Sequence, residues 1–350
     1  MAKKVEGKMT IREALLALEK KHGEGTVMKL AKGAQVVKVP VLTTGIYSID
    51  KVLGGGLPRG RVIELYGNEA SGKTSFALQV IVEAQKSGLK AAYIDIEHAF
   101  SMEYARSLGV NVEELYFSQP DSAEAAFDIL STLAQTGEFA IIVLDSVAAL
   151  VPATELEGEI GSSQIGRLAR FLSSALKQVL NTFAQHDTTL ILVNQLRTKI
   201  GIAYGNPEYT TGGSALKYYA SQRIALRRGT KIEDKEGNNI GYMTMIRIEK
   251  NKIAMPFQTT QVPFLNGRGF DKIADIFNIG QKMGIITKEK ISYYIDKTKL
   301  GVGEQASLTT LRENAEIQEM LRNKIISNTD TSKVVETDDA IESIPENDAA

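Results

Sequence analysis

Cysteine is absent from the 350 residues, which excludes disulfides and thiolate metal sites. No apolar run reaches the roughly 18 residues that a membrane span requires. The opening stretch MAKKVEGKMT lacks the apolar segment of an export signal, so no membrane partner and a cytoplasmic location are expected. Internal repeats are not apparent. Net charge is nearly absent too: 41 basic and 42 acidic side chains leave −1, which points to no partner of either sign. The length allows one large domain with smaller attachments.

That near-zero charge hides an uneven distribution. Residues 327–350 hold seven acids and only Lys333 as a base, a net −6, so the body before them carries +5. An acidic end on a mildly basic body is an interaction pattern, although a solvated, disordered tail has the same composition.

The most specific signal is GNEASGKTS at 67–75. Gly67 is followed by Asn68, Glu69, Ala70 and Ser71, then by Gly72, Lys73 and Thr74, the spacing of a phosphate-binding loop. Glycines let the backbone turn tightly and bring N–H groups to phosphate oxygens. Lys73 is placed to reach the β- and γ-phosphates, and Thr74 to offer a hydroxyl to Mg²⁺. Residues 61–66 read as a strand and 75–86 as a helix whose N-terminus faces the phosphates.

Further strands are expected at 91–96, 140–145, 189–194, 223–227 and 244–249, with helices between most of the earlier ones. This alternation predicts an α/β fold with a central, mostly parallel sheet. The turn at 234–239 predicts a hairpin. A short amphipathic helix over 10–21, capped by Thr10 and Glu13 and stopped by Gly23 and Gly25, precedes the core. After Phe270 a helix at 273–283, a turn at Gly284 and a helix near 308–324 predict a small α+β domain. The expected division is 1–35, 36–269, 270–326 and an acidic disordered tail at 327–350.

In open parallel sheets, ligands bind at the carboxyl ends of the strands. Three polar residues are expected there. Asp145 ends an apolar strand and is suited to Mg²⁺. Glu97 follows another and could activate water against a γ-phosphate. Gln195, a neutral amide, could sense the γ-phosphate without repelling it. Each is also readable as a polar strand end in solvent. Two loops stand apart. Residues 196–213 show little helix or strand character and carry Arg197, Lys199, Tyr204 and Tyr209, ending in Gly212 and Gly213. Residues 155–166 lead into a helix with Arg167, Arg170 and Lys177. Cations beside aromatics suit single-stranded nucleic acid. An active-site lid and an ordinary basic helix face fit the same compositions.

Taken together, the stretches LTTGIYSIDKVLGGGLPRGRVIELYG, GNEASGKT, YIDIEHA, IIVLDSVAALVP, EGEIGSSQIGRLAR, NQLRTKIGIAYGNPEYTTGG and KNKIAMPF resemble the bacterial RecA recombinase family, over about 9–324. The resemblance implies a RecA-type ATPase core with a short N-terminal helical segment and a small C-terminal domain. It implies a DNA-dependent ATPase that uses ATP and Mg²⁺ and forms a helical filament on single-stranded DNA. That filament pairs the strand with homologous double-stranded DNA, exchanges strands, and promotes self-cleavage of an SOS repressor. By the same resemblance residues 67–74 bind nucleotide, Glu97 is the catalytic carboxylate, Asp145 is the acid on the Mg²⁺ side, and Tyr104 stacks on adenine. Gln195 couples nucleotide state to the following loop. Residues 157–165 and 196–211 line the DNA axis, and Lys250 and Lys252 reach a neighbour's nucleotide. The N-terminal helix docks on that neighbour.

Departures from the family pattern are Asn68, Ala70 and Ser75 in the phosphate loop, and Phe100-Ser101-Met102 in place of Leu-Asp-Pro. Ile165 and Tyr204 replace Met and Phe in the DNA loops and keep their bulk. A hexameric motor such as a replicative helicase shares the core but needs an N-terminal collar, for which 1–35 leave no room. A small-molecule kinase predicts a compact acceptor pocket rather than a long loop and an appended domain.

Overall fold

The computed structural model describes residues 9–23, 26–27, 39–156, 166–198, 208–234 and 236–331. Contacts divide the chain into residues 1–39 and 40–350. In the first unit α1 (Ile11–His22) has the expected capping box. The Glu13 N–H donates to the Thr10 hydroxyl, and the Thr10 N–H donates to the Glu13 carboxylate at 2.8 Å. Gly23 ends the helix at φ 97°, in the region glycine tolerates. No residue of α1 is buried.

The second unit opens with β1 (Val41–Leu42), α2 (Tyr47–Leu53), β2 (Leu57–Pro58), β3 (Val62–Gly67) and α3 (Lys73–Lys86). It continues through β4 (Lys90–Asp95), α4 (Met102–Ser107), β5 (Leu115–Ser118), α5 (Ala123–Gln135), β6 (Phe139–Asp145) and α6 (Ala153–Leu156). Next come α7 (Arg167–Gln185), β7 (Thr189–Thr198), β8 (Glu208–Thr210), α8 (Ala215–Tyr219), β9 (Gln222–Glu233), β10 (Asn239–Asn251), β11 (Thr259–Leu265) and β12 (Gly269–Phe270). The last stretch is α9 (Lys272–Lys282), β13 (Ile286–Glu289), β14 (Ser292–Ile295), β15 (Thr298–Val302), α10 (Glu304–Glu313) and α11 (Ala315–Thr331).

The main sheet runs β12-β11-β10-β9-β3-β7-β6-β4-β5. From β9 to β5 every neighbouring pair is parallel; from β9 to β12 every pair is antiparallel. The parallel strands read as continuous apolar runs because both faces are covered. Alternate residues serve opposite cores. Ile63, Leu65, Ile141 and Val143 pack with Phe76, Leu78 and Ile81 of α3. Val62, Ile142 and Leu144 pack with Phe127 and Leu130 of α5 and Leu172, Leu176 and Phe183 of α7.

Several boundaries differ from expectation. β7 continues to Thr198 and β8 pairs back on it, Arg197 opposite Tyr209, so the base of the long loop is a hairpin rather than irregular chain. β9 and β10 are about twice as long as their apolar centres, because an antiparallel ribbon pairs its backbone whatever its side chains. The Asp234 carboxylate accepts the N–H groups of Glu236 and Asn238 and closes their turn. β5 and β11 escaped the sequence reading; β11 contains Pro263, which argues against a strand until the neighbours are known.

The C-terminal domain has its own core around Phe277, Tyr293, Ile295 and Leu311, with β13–β15 antiparallel. Its expected single helix is two, broken at Asn314, whose extended backbone (φ −123°, ψ 96°) separates α10 from α11. α11 runs to Thr331, so 327–331 are helical rather than the start of a disordered tail. The domain is joined to α2 by a buried contact: Asp275 accepts the Ser48 N–H at 3.0 Å and the Ser48 hydroxyl. Removing Asp275 orphans two buried donors. Asp275→Ala is therefore expected to cost about 1–3 kcal/mol. Urea unfolding checks this, and an unchanged midpoint would show that the contact contributes nothing.

Candidate nucleotide site and nucleic-acid face

β3 is buried along its whole length and delivers Gly67 to the carboxyl edge of the sheet. A Cβ on Gly67 would lie 2.2 Å from the Leu226 carbonyl oxygen, so only glycine lets the chain turn beside β9. Gly72 is left-handed (φ 92°) and starts α3 with no side-chain cap. The first-turn N–H groups are therefore open to an anion. Inside the loop the Ser71 hydroxyl is buried with no partner. These features fit a phosphate.

Lys73 folds over the loop, donating to the Asn68 carbonyl at 2.8 Å and the Gly67 carbonyl at 3.2 Å. Burial lowers its pKa, and Asp145, Glu97 and Glu69 oppose that shift. The Thr74 hydroxyl donates to Asp145 Oδ2 at 2.7 Å, and the Tyr93 hydroxyl donates to the same oxygen at 2.7 Å. Burial raises the Asp145 pKa, and those two donors pull it back. A hydroxyl and a carboxylate already in contact are hard oxygen ligands of the kind Mg²⁺ shares with nucleotide phosphates, so they fit that ion.

Strand register assembles the rest. Gln195 of β7 lies opposite Gly67 of β3, and Asp145 of β6 lies opposite Asp95 of β4. Asp95 accepts the Phe100 N–H at 3.1 Å and so holds the turn carrying Glu97. Glu97 Oε1 accepts Gln195 Nε2–H at 3.0 Å and the Ser146 hydroxyl. The three expected strand-end residues thus meet at one edge. Tyr104, on α4, shares a 2.7 Å hydrogen bond with the Ser75 hydroxyl and so stands beside α3. Ser101 caps α4 by accepting the Tyr104 N–H at 3.2 Å.

A cavity of about 310 Å³ lies against Ala70, Ser71, Gly72, Lys73, Thr74 and Ser75. Its other wall is Arg228, Tyr242, Phe264 and Asn266. Sequence reasoning missed all four. They come from β9, β10 and the end of β11, and nothing in their spacing relates them to the loop.

The nucleic-acid candidates divide. Ile165, Lys199 and Tyr204 lie outside the described residues. Arg197 is exposed on β7. Arg170 and Lys177 are exposed on α7, whose opposite side buries Leu172, Leu176 and Val179. Gly212 (φ 85°) and Gly213 (φ 74°) bring the chain close to α7: a Cβ on Gly212 would meet Leu172 at 2.4 Å, and one on Gly213 would meet Ala169 at 2.8 Å.

Lys250 and Lys252 flank Asn251, the last residue of β10. A bulge interrupts the register between Ile248 and Lys250, and Lys252 lies beyond the last residue of β10. Lys250 donates to the carbonyls of Lys217 and Tyr218, at 2.6 and 2.9 Å, capping the C-terminus of α8. Burial lowers its pKa, and the charges of Lys252 and Arg223 add to that.

Lys73→Ala removes the one cation inside the loop and no core contact. The folded state should persist, with an unchanged circular dichroism spectrum, while nucleoside triphosphate hydrolysis falls roughly a hundredfold or more. Undiminished hydrolysis would remove Lys73 from the site.

Comparison with known proteins agrees with this geometry. The model of the RecA N-terminal domain matches residues 9–271. The chain is 44% identical over 326 residues to protein RecA of Desulforapulum autotrophicum, covering 93% of each. It is 46% identical over 314 residues to protein RecA of Chloroherpeton thalassium, covering 89% of this chain and 86% of that one. Among solved structures, a RadB recombinase superposes with a TM-score of 0.50 at 25% identity, covering 66% of this chain and 98% of its own. With a phosphate loop, an Asp145 strand end and a Glu97–Gln195 contact in one register, the chain belongs to the RecA family, the ATP-using, DNA-dependent ATPases of recombination and repair.

Proposed function

We propose that this chain polymerises as an open helical filament on single-stranded DNA, pairs that strand with homologous double-stranded DNA, and exchanges strands. By family membership, the filament also promotes self-cleavage of an SOS repressor, in the cytoplasm. The observation that carries the pairing reading is the Gln195–Glu97 hydrogen bond. It joins the acid of the nucleotide site to the strand that runs into the β7–β8 hairpin.

In this reading the loop N–H groups and Lys73 hold the β- and γ-phosphates, and Tyr104 stacks on adenine. Thr74 and Asp145 hold Mg²⁺, whose charge offsets that of the phosphate oxygens. Glu97 accepts the proton of the attacking water. Gln195 can bond either Glu97 or a γ-phosphate oxygen, and the choice shifts β7 and the residues after it. Ile165, Arg170, Lys177, Arg197, Lys199, Tyr204, Gly212 and Gly213 belong to the DNA face. The apolar side chains of α1, with Ile11 81% exposed, support docking on a neighbouring copy.

Lys250 and Lys252 serve the nucleotide of an adjacent subunit. In the single chain Lys250 rests on two neutral carbonyls, and exchanging them for a charged phosphate oxygen strengthens its hydrogen bonds. Lys250→Ala with Lys252→Ala should retain nucleotide binding but lose cooperative assembly and DNA-stimulated hydrolysis. Mixed with the Lys73→Ala protein, it should recover part of that hydrolysis, because some composite interfaces then hold one intact site. A fully active double variant would make these lysines surface charges.

Joint-molecule formation between a single-stranded circle and homologous linear duplex tests the whole reading. Product should require ATP. DNA-stimulated hydrolysis without joint molecules would leave an ATPase of another kind.

A further inference from the structure

The phosphate loop carries an unusual residue at its turn. Ala70 has φ 54°, in the left-handed region where a Cβ costs about 1–2 kcal/mol. Its carbonyl oxygen accepts a 3.0 Å hydrogen bond from the Tyr242 hydroxyl. Tyr242 belongs to β10, 172 residues away in sequence, and is 5% exposed. Its ring packs against two further side chains. The Arg228 guanidinium sits 4.3 Å from the ring centroid. Phe264 stacks against it at 4.9 Å, with planes 19° apart. Phe264 in turn meets Phe270 edge-on at 5.2 Å, and a Cβ on Gly72 would lie 3.3 Å from its ring. Tyr242 therefore has little freedom to follow a moving loop.

A trans peptide is planar, and the C=O of one residue points opposite to the N–H of the next. Fixing the Ala70 carbonyl toward Tyr242 directs the Ser71 N–H the other way. Alternating left- and right-handed residues turn successive N–H groups into one concavity, which is the geometry that binds an anion. Anchoring one peptide plane therefore sets an N–H direction for the phosphates.

We propose that Tyr242 is a positioning residue for nucleotide binding: its hydroxyl, braced by Arg228 and Phe264, holds the Ala70–Ser71 peptide in the phosphate-binding orientation. The antiparallel β9–β10 ribbon is then part of the nucleotide site. This role rests on the assignment of residues 67–74 as the nucleotide loop. Tyr242 acts on ground-state binding of the phosphates, so its loss should raise KM rather than lower kcat.

Tyr242→Phe keeps the ring, its stack and its burial and removes only the hydroxyl. Calorimetric titration with MgADP, and steady-state hydrolysis of ATP with single-stranded DNA, read the effect. The Kd and KM should rise about fivefold, the effect of about one ordinary hydrogen bond on the loop's population of the binding orientation, while kcat stays unchanged. Ala70→Gly removes the left-handed penalty. In the Tyr242→Phe background it should restore much of the lost affinity, because the loop no longer needs the hydroxyl to hold its turn. A hydroxyl serving only to stabilise the sheet would lower the thermal midpoint and leave the Kd unchanged. An unchanged Kd in Tyr242→Phe, or a double variant no better than Tyr242→Phe, overturns the role. A parent chain that binds no nucleotide overturns the site itself, and this role with it.

Discussion

A carboxylate with no exposed surface sits in the middle of the main sheet: Glu64, on β3. Burying such a charge is costly unless it is paired and its oxygens are hydrogen-bonded. Here Arg223 of β9 pairs with Oε2, and Asn194 of β7 donates to Oε1 at 3.0 Å. One buried group thereby ties the phosphate-loop strand to both of its neighbours. Any register slip between β3 and either neighbour would leave the charge unmatched. The placement of Gln195 beside Gly67 depends on that register, since Asn194 lies one residue before it.

The same network reaches the nucleic-acid face. Asn194 also donates to the Thr211 carbonyl at 3.0 Å and accepts the Gln195 N–H at 2.8 Å. Arg223 stands over the Tyr66 ring at 4.8 Å, one residue before Gly67. The residue before Gln195 is thus held at three points, by Glu64, by the Thr211 carbonyl and by the Gln195 N–H.

How much of this was legible in the sequence depended on range. The loop at 67–74 was readable because its chemistry is local: glycines, a lysine and a threonine at fixed spacing. Asp145, Glu97 and Gln195 were readable as strand ends, since apolar runs announce parallel strands. That they converge depended on the order β3-β7-β6-β4, which no single strand encodes. Tyr242 and Arg228 lie just outside the strands expected at 223–227 and 244–249, and their relation to Ala70 exists only once β10 lies two strands from β3. The extension of β7 through Arg197 and Thr198 was hidden because polar side chains do not prevent a backbone ladder. The bulge before Lys250 was not legible, because nothing in the residues around it breaks the alternation of a strand.

The isolated chain leaves several groups less favourably placed than an assembly would. α1 buries none of its own residues, although its capping box makes it a well-formed helix. β5, at one end of the sheet, exposes Tyr116 and Phe117 at 48% and 46%. An exposed edge with aromatic side chains invites another chain unless something covers it. Lys250 is partly desolvated and bonded to two neutral carbonyls, each a weaker partner for an ammonium than an anion would be. Self-association is a property of the RecA family, and these features make its energetics intelligible. An exposed apolar helix face and an exposed sheet edge are surfaces whose burial against another chain is favourable whether or not nucleotide is present.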